Sequence, residues 1–429
     1  MKKTLSVTLA ALLGVSCLGF VGCGGKKEDA SVLKFYHAYF QDEAVWAPAK
    51  VMRDIYREFQ LQHIDDEVTF EPVALSTDYA VEDMMKNEVA GGNFPEMIDL
   101  AGVSVPNNAI FNNLVYNMKP VIDADPELKE NVGVNYTQND ENGKIYSIHD
   151  QIMVRGVWYN ETYFTNGANS NAKLPENTAN VTEFKAEMDK IRAANKIAYQ
   201  PFNTMQLWAE LGLTDEGIAL MSSPLTESIV NSDAFDLFEQ AFKAVATELR
   251  ANGSINYIHN LDNFQLGNAG LYLNGVWAAG TFSASKPAYD YIKAGLYPGK
   301  VVLVSAGGGL TISNKISEKK KALAMEFVKY MVSDEVQARI FKEVKAAPCN
   351  PTINLETLAQ GSTDKALLNL RDACLMSQRT DVRQVPGGVK WGADISRVID
   401  DALKSCMDTT KTIDAQYSKL VKDVKGLLA

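Results

Sequence analysis

The sequence has 429 residues, more than one ordinary domain holds, so two or three domains or two large lobes are expected. Hydrophobic residues make up 46% and charged residues 22%, which excludes long disorder, a collagen-like chain and a small disulfide scaffold. Lys and Arg total 42 against 53 Asp and Glu, a formal net charge of -11, and this argues against nucleic-acid binding, which needs a basic footprint.

Lys2 and Lys3 open the chain, and an uncharged run then extends from Thr4 to Gly25. Its most apolar part, Leu9 to Val15, is short for a membrane span, which needs about 20 apolar residues. A basic start followed by a short apolar run is the layout of an export signal. Phe20-Val21-Gly22-Cys23 resembles a bacterial lipobox, with small residues before the cysteine and Phe20 where Leu is usual. That resemblance implies a signal peptide over 1–22, a lipidated Cys23 at the start of the mature protein, and a tether over 23–30. The alternative is an uncleaved N-terminal anchor. Either way the protein leaves the cytoplasm and stays at a membrane. Of the five cysteines, only Cys349, Cys374 and Cys406 lie beyond this region, and none forms a C-x-x-C pair. One disulfide with a free thiol and three buried free thiols both stay open.

Val32 to Tyr36 reads as a first strand, and a helix follows from about Glu43, with Val45, Met52, Ile55, Tyr56 and Phe59 at helical spacing. Val68 to Val73 is a second strand. Val81 to Val89 is a helix closed by Gly91-Gly92, and Met97 to Leu100 is a third short strand. Strands alternating with helices imply crossover units and a mainly parallel sheet. Asn142-Gly143 predicts a hairpin-type turn, with Lys144–Ile148 and Val154–Tyr159 as strand candidates. Thr182 is a candidate N-cap for a helix carrying Phe184, Met188 and Ile191. Further helices are expected over 232–249, over 319–344 and, as one or two pieces, over 395–428.

Two long stretches lack charge, Leu100 to Met118 and Asn263 to Ser285. Both are rich in asparagine, whose unpaired amide costs several kcal/mol in lipid, so neither suits a membrane span. Uncharged hydrogen-bonding segments suit the wall of a pocket for a neutral polar ligand, and surface loops with core strands are the plainer alternative. The histidines His37, His63, His149 and His259 form no H-E-x-x-H pair, and no G-x-S-x-G, P-loop or G-x-G-x-x-G motif occurs. Gly307-Gly308-Gly309 lacks phosphate-loop spacing and reads as a tight turn or close packing. Asn139 to Gly143 lacks the ligand order of a calcium loop. The reading therefore includes no catalytic residue, cofactor or metal.

Several blocks, in order, resemble the carbohydrate-binding extracellular solute-binding proteins of ABC importers, the group that includes maltose-binding protein. They are Val32-Leu33-Lys34-Phe35-Tyr36-His37, Gly91-Gly92-Asn93-Phe94-Pro95-Glu96-Met97-Ile98, and Gly156-Val157-Trp158-Tyr159-Asn160 through Phe164. The most specific is Phe264-Gln265-Leu266-Gly267-Asn268-Ala269 through Gly275-Val276-Trp277, similar to the family's Phe-x-x-Gly-x-Ala-x-Met-x-x-x-Gly-x-Trp. Gly307-Gly308-Gly309 before Ala324-Met325-Glu326-Phe327 resembles its glycine strand and following helix.

The resemblance implies an α/β, two-lobed periplasmic-binding-protein-like fold of class II type, each lobe a mainly parallel sheet flanked by helices, joined by a multi-crossing hinge. The first lobe would hold 31–150 plus 306–347 and the second 151–305 plus 348–429. A monomer would capture a sugar between the lobes, without catalysis, and deliver it to the transmembrane subunits of an ABC permease. Such a cleft needs aromatic rings for C–H faces and polar groups for hydroxyls. Trp277 matches the family's stacking Trp, with Asn274 and Gly275 beside it and a second-lobe core Trp as the alternative, and Trp391 resembles another stacking position, with a packing role as an equal alternative. Loops after first-lobe strands add His37, Tyr39 and Asp42 after the first and Asp99 after the third. Asp42 as a helix cap is an equal alternative. Asp150 lies near the first crossing, and Gly308 is on the glycine strand. Arg383 as a donor and Trp208 complete the candidates, core packing being the stronger expectation for Trp208. A non-sugar solute, a surface polysaccharide hydrolase and a partner of a membrane sensor kinase are the competing readings.

Overall fold

In β1 (Val32–His37) alternate residues Leu33, Phe35 and His37 are buried, the period of a strand with one covered face. The computed structural model describes residues 31–76, 80–103, 105–194, 196–200, 203–252 and 257–428. The expected signal peptide, Cys23 and tether lie outside them. β1 pairs in parallel with β2 (Thr69–Ala74) and β3 (Met97–Gly102), through crossover helices Ala47–Gln62 and Ala80–Ala90. The first helix buries Met52, Ile55, Tyr56 and Phe59 on one stripe against this sheet. Strand β10 (Gly308–Ile312), arriving from far along the chain, adds antiparallel to β3. The order is β10-β3-β1-β2.

The remaining strands form two mixed sheets. One has the order β11-β9-β4, built from β4 (Met153–Arg155), β9 (Val301–Ser305) and β11 (Arg383–Pro386). The other has the order β6-β7-β5-β8, built from β5 (Val157–Asn160), β6 (Ile197–Gln200), β7 (Ala269–Tyr272) and β8 (Ile292–Gly295). Only β6–β7 and β9–β11 are parallel here, each pair having helices between its strands as a parallel crossover requires. The mainly parallel expectation thus fits the first sheet, and the others are mixed.

The apolar interior falls into two parts. Residues from 33–148 and 310–349 make one part, as a cluster around Phe35, Tyr56, Phe70 and Phe327 and a second cluster with Val81, Met85, Ile98 and Leu100. Residues from 154–304 and 355–424, with Phe341 and Ala347, make the other part. There the helix Ala234–Asn252 buries Phe235, Phe238, Phe242, Val245 and Leu249. The chain passes between the two cores near 149–152, 306–307 and 345–349. Ile152 N–H donates to Ala347 O at 2.9 Å, and Asn139 Nδ2 to Gly307 O at 3.1 Å. Cys349, Cys374 and Cys406 are buried free thiols, so the open cysteine question resolves to three thiols. No described helix is long and apolar enough to cross a membrane.

Several local expectations need correction. The turn at Asn142-Gly143 has φ of 56° and 81°, as a two-residue hairpin turn requires. Lys144–Ile148 is nevertheless no strand, making only isolated bridges from Ile145 to Asp140 and from Ile148 to Leu310. Val154–Tyr159 divides at Gly156 into β4 and β5 of different sheets, and a Cβ at Gly156 would meet Gly295 O at 2.6 Å. The helix expected near Glu43 starts at Ala47, because Asp42 first holds a turn, accepting from Ala44 N–H with Oδ1 and from Trp46 N–H with its carbonyl. The 319–344 helix is interrupted after Met331. Ser333 caps a second segment (Asp334–Arg339), followed by a π-turn (Ile340–Val344) that ends at Lys345 with φ 62°.

The helix Val181–Ala193 is capped by Asn180, not Thr182. Asn180 Oδ1 accepts from the backbone N–H groups of Thr182 and Glu183 at 3.1 and 3.0 Å. Asn180→Ala is expected to cost about 1 kcal/mol in chemical denaturation, and Thr182→Ala clearly less. Equal losses would restore the threonine as the cap.

Candidate ligand-binding site

The loop that follows β1 is held from beneath. Tyr39 N–H donates to His37 Nδ1 at 3.2 Å, and Arg53 Nη1 donates to Tyr39 O and Gln41 O at 2.8 and 2.6 Å. Tyr39 Oη accepts from Gln151 Nε2 at 3.1 Å, joining this loop to the first crossing. The Trp46 ring lies parallel to Tyr39, with centroids 5.5 Å apart and planes 18° apart.

His37 is buried, and desolvation, aided by the Arg53 guanidinium, lowers its pKa from 6.5 to about 4. The ring is therefore neutral at physiological pH. The unfolded chain takes a proton near pH 6.5 and the folded chain near 4, so this group's contribution to stability is full above 6.5 and falls as pH drops toward 4. That loss is roughly 3 kcal/mol. The His37 ring proton resonance is expected to titrate with a midpoint near 4, and a midpoint at 6 or above would contradict this environment.

Asp99, on β3, and His149 and Asp150, at the first crossing, form a buried polar floor. Asp99 Oδ1 accepts from Ala101 N–H at 2.9 Å. Asp150 Oδ2 and His149 Nδ1 are buried and have no hydrogen-bond partner among the described residues. Burial raises the pKa of Asp99, opposed by His149, and raises that of Asp150 well above the usual range, with Asp99 adding to it. Burial lowers that of His149, opposed by Asp99. These carboxyls work opposite to His37: they hold protons on folding, and the stability they add is lost as pH rises through their folded values. The floor is thus held toward neutral forms.

Across the crossing, Trp277 stands half-buried on the short helical turn Val276–Thr281. A Cβ at Gly275 would lie 2.1 Å from its ring, so the glycine gives the indole its seat. Trp158 Nε1 donates to Gly275 O at 3.0 Å and fixes that backbone. The Arg155 guanidinium lies 5.5 Å from the Trp277 ring centroid, while its Nη1 donates to Ser305 Oγ and Gly387 O at 3.1 and 3.3 Å. Asn274 is buried, its Nδ2 donating to Tyr272 Oη at 2.5 Å and its Oδ1 accepting from Gly275 N–H at 2.7 Å. It orders the turn rather than facing solvent.

His37, Tyr39, Asp99 and Asp150 are thus brought together with Gln151, which donates to Tyr39, while Arg155 lies beside Trp277. Other sequence candidates lie elsewhere. Trp208 and Trp391 meet edge to face in the second core, with centroids 6.0 Å apart, and Trp391 Nε1 donates to Leu220 O at 3.1 Å. Arg383 on β11 donates to Gly212 O at 2.7 Å and pairs with Asp215. Gly308 is packed under Val103, and exposed Asp42 holds its own turn. Sequence reasoning missed Trp46, Gln151 and Arg155. The rule that ligands gather beyond strand ends pointed to the loop after β1, and following it to the start of the helix would have reached Trp46.

A family model described as bacterial extracellular solute-binding protein matches residues 54–368. The chain belongs to this family. Among solved structures, a Streptococcus pneumoniae solute-binding protein in complex with the blood group A-trisaccharide is 35% identical, with a TM-score of 0.83 over 92% of this chain and 100% of that one. A chitin oligosaccharide binding protein is 19% identical (TM-score 0.70, 92% of this chain and 98% of that one). A solute-binding protein in complex with raffinose is 16% identical (TM-score 0.66, 93% and 100%). These two show the fold alone. Comparison with curated protein sequences finds no match. This extracellular solute-binding protein therefore has the two-lobed α/β fold, with both sides of the candidate site flanking the crossings between its cores.

Proposed function

We propose that this solute-binding protein captures a neutral oligosaccharide between a first lobe of 31–150 plus 306–347 and a second of 151–305 plus 348–429. In this reading it delivers the sugar to the transmembrane subunits of an ABC permease, acts as a monomer held at the membrane through lipid on Cys23, and catalyses no reaction. The observation that carries the reading is the half-buried Trp277 indole, seated by Gly275 and backed by Arg155, across the crossing from a polar floor held toward neutral forms. A pyranose presents C–H faces to such a ring and hydroxyls to such a floor. The likeness to the blood group A-trisaccharide binder supports the same ligand class.

A thermal-shift screen of sugars, amino acids, peptides and organic acids tests this, starting with the blood group A-trisaccharide. A true ligand at 100 times its Kd adds about 2.7 kcal/mol of apparent stability. If only a non-sugar raises the melting temperature, the carbohydrate reading fails. Turnover of a bound oligosaccharide would favour a hydrolase instead.

A further inference from the structure

All three crossings between the cores are gripped by side-chain amides of the first core. Gln337, on the segment Asp334–Arg339, is fully buried. Its Nε2 donates to Asp150 O on the first crossing and to Met331 O, at 2.9 and 2.7 Å. Its Oε1 accepts from the N–H groups of Cys349 and Asn350 on the third crossing, at 2.7 and 3.2 Å. These bonds fill the capacity of a carboxamide. The helix break after Met331 provides a further carbonyl, Val332 O, which accepts from Asn350 Nδ2 at 3.0 Å. Asn135, buried on the short helix Asn135–Gln138, is filled in the same way. Its Nδ2 donates to Val132 O and His149 O, both at 2.9 Å, and its Oδ1 accepts from His149 N–H at 2.9 Å and Asn139 Nδ2 at 3.1 Å. Asn139 Nδ2 also reaches Ser147 O and, on the second crossing, Gly307 O, at 3.0 and 3.1 Å. Beside it Gln138 Oε1 accepts from Ala306 N–H at 2.7 Å.

The second core takes hold of the chain within a few residues. Met153 and Ser305 are paired at the end of the β4–β9 ladder. Between the gripped groups and that ladder lie Gln151 and Ile152 on the first crossing, and the single Ser305–Ala306 linkage on the second. On the third, Pro351 to Ile353 lead to the helix Leu355–Ala359, which buries Leu355 and Ala359 in the second core. We propose that Asn135, Asn139 and Gln337, with Gln138, form a clamp that makes the crossing ends part of the first core's rigid body, so that relative motion of the lobes is confined to three short links, 151–152, 305–306 and 351–353. Breaking a buried amide bond to the backbone leaves both groups unsatisfied, whereas turning an ungripped linkage breaks none. A hinge is a few residues that absorb the change in φ and ψ, and the clamp selects which residues those are. Ile152 N–H, bonded to Ala347 O, further straps the first crossing to the third. The clamp does not depend on which solute is bound, so the ligand-free protein tests it.

Two measurements on the ligand-free chain suffice, residue-resolved hydrogen exchange and the distribution of distances between spin labels on the two lobes. Labels go on Lys86→Cys and Gln240→Cys, exposed positions on helices of the first and second cores, and the native thiols are buried. In the wild type the amides of His149, Ala306, Cys349 and Asn350 are expected to exchange at least about a hundredfold more slowly than an unstructured chain. Gln337→Leu should speed exchange at Cys349 and Asn350, and Asn139→Ala at His149 and Ala306, each by about tenfold or more. Both should broaden the distance distribution by roughly half or more, because the grip on the crossings is lost. Gln384→Ala is the control, since Gln384 Nε2 donates to Ser377 O at 2.8 Å within the second core and should leave both measurements unchanged. If Gln337→Leu fails to fold, the half-buried Asn139 carries the test. Wild-type distributions in the clamp variants overturn the proposal, as do crossing amides that exchange in the wild type like an unstructured chain. Equal broadening in Gln384→Ala would mean that any lost amide loosens the lobes, and also overturns it. Each of these failures leaves the carbohydrate reading standing, because no ligand is present.

Discussion

Gly308→Ala is expected to destabilise the protein by roughly 3–5 kcal/mol, the range of the most damaging single substitutions. Gly308 starts β10, the antiparallel strand that closes the first sheet against β3, at a point where the register shifts. A Cβ there would lie 1.7 Å from Val103 O and 2.7 Å from Val103 C. Both are backbone atoms, so no rotamer change relieves the overlap, and β10 must part from the end of β3. Asp99 lies on that strand, so the polar floor moves with it. Gly388→Ala is the control, because among the described residues no atom lies within 4 Å of its added Cβ. It is expected to fall within about 0.5 kcal/mol of wild type. Calorimetry of both variants without ligand checks this. A normal melting profile for Gly308→Ala would mean that β10 does not sit against Val103 as described. Gly308 was a ligand candidate in the sequence, and its packing supplies a structural reason for a glycine there.

How far the sequence reached depends on the range of the interactions involved. The alternation of Leu33 and Phe35 in β1, and the stripe of Met52, Ile55, Tyr56 and Phe59, are local periodicities, and the strands and helices of the first sheet follow them. Caps are decided by single hydrogen bonds, so Asn180 took the place expected of Thr182 two residues away. The break after Met331 was illegible because the residues on both sides keep helical spacing, while Ser333 supplies a new cap. The family resemblance rested on ordered blocks and was enough for the two-lobed fold, and it singled out Trp277 and Trp391 as stacking candidates without separating the two. Trp208, Trp391 and Trp277 each stand near apolar neighbours in sequence. Only the packing of Phe235 and Phe238 around Trp391, against the glycine seat and guanidinium beside Trp277, separates them. Trp46 was hidden for a related reason: its partner Tyr39 lies seven residues earlier, across a turn that no helical or strand period describes.

Gly275→Ala and Trp277→Ala are expected to lose ligand affinity together. Gly275 has φ −78° and ψ 171°, a conformation open to alanine, so the backbone tolerates the change. What does not tolerate it is the indole, whose ring atoms lie 2.1–2.4 Å from the added Cβ. The methyl group therefore evicts Trp277 from its seat while leaving tryptophan in the chain. If the seated ring stacks on the ligand, each variant should weaken binding by about 2 kcal/mol or more, at least 30-fold. The double variant should be no worse than either single one, because both remove the same contact. Because Trp277 is only half-buried, the melting temperature of Trp277→Ala should shift much less than that of Gly308→Ala. Titration of the four proteins with one sugar gives the cycle. Additive losses would mean that Gly275 serves the ligand on its own account, through its backbone. Wild-type affinity in Gly275→Ala, with loss in Trp277→Ala, would mean that the ring binds from a different rotamer. Wild-type affinity in both would remove Trp277 from the site and leave the wall after β1 to carry the ligand alone.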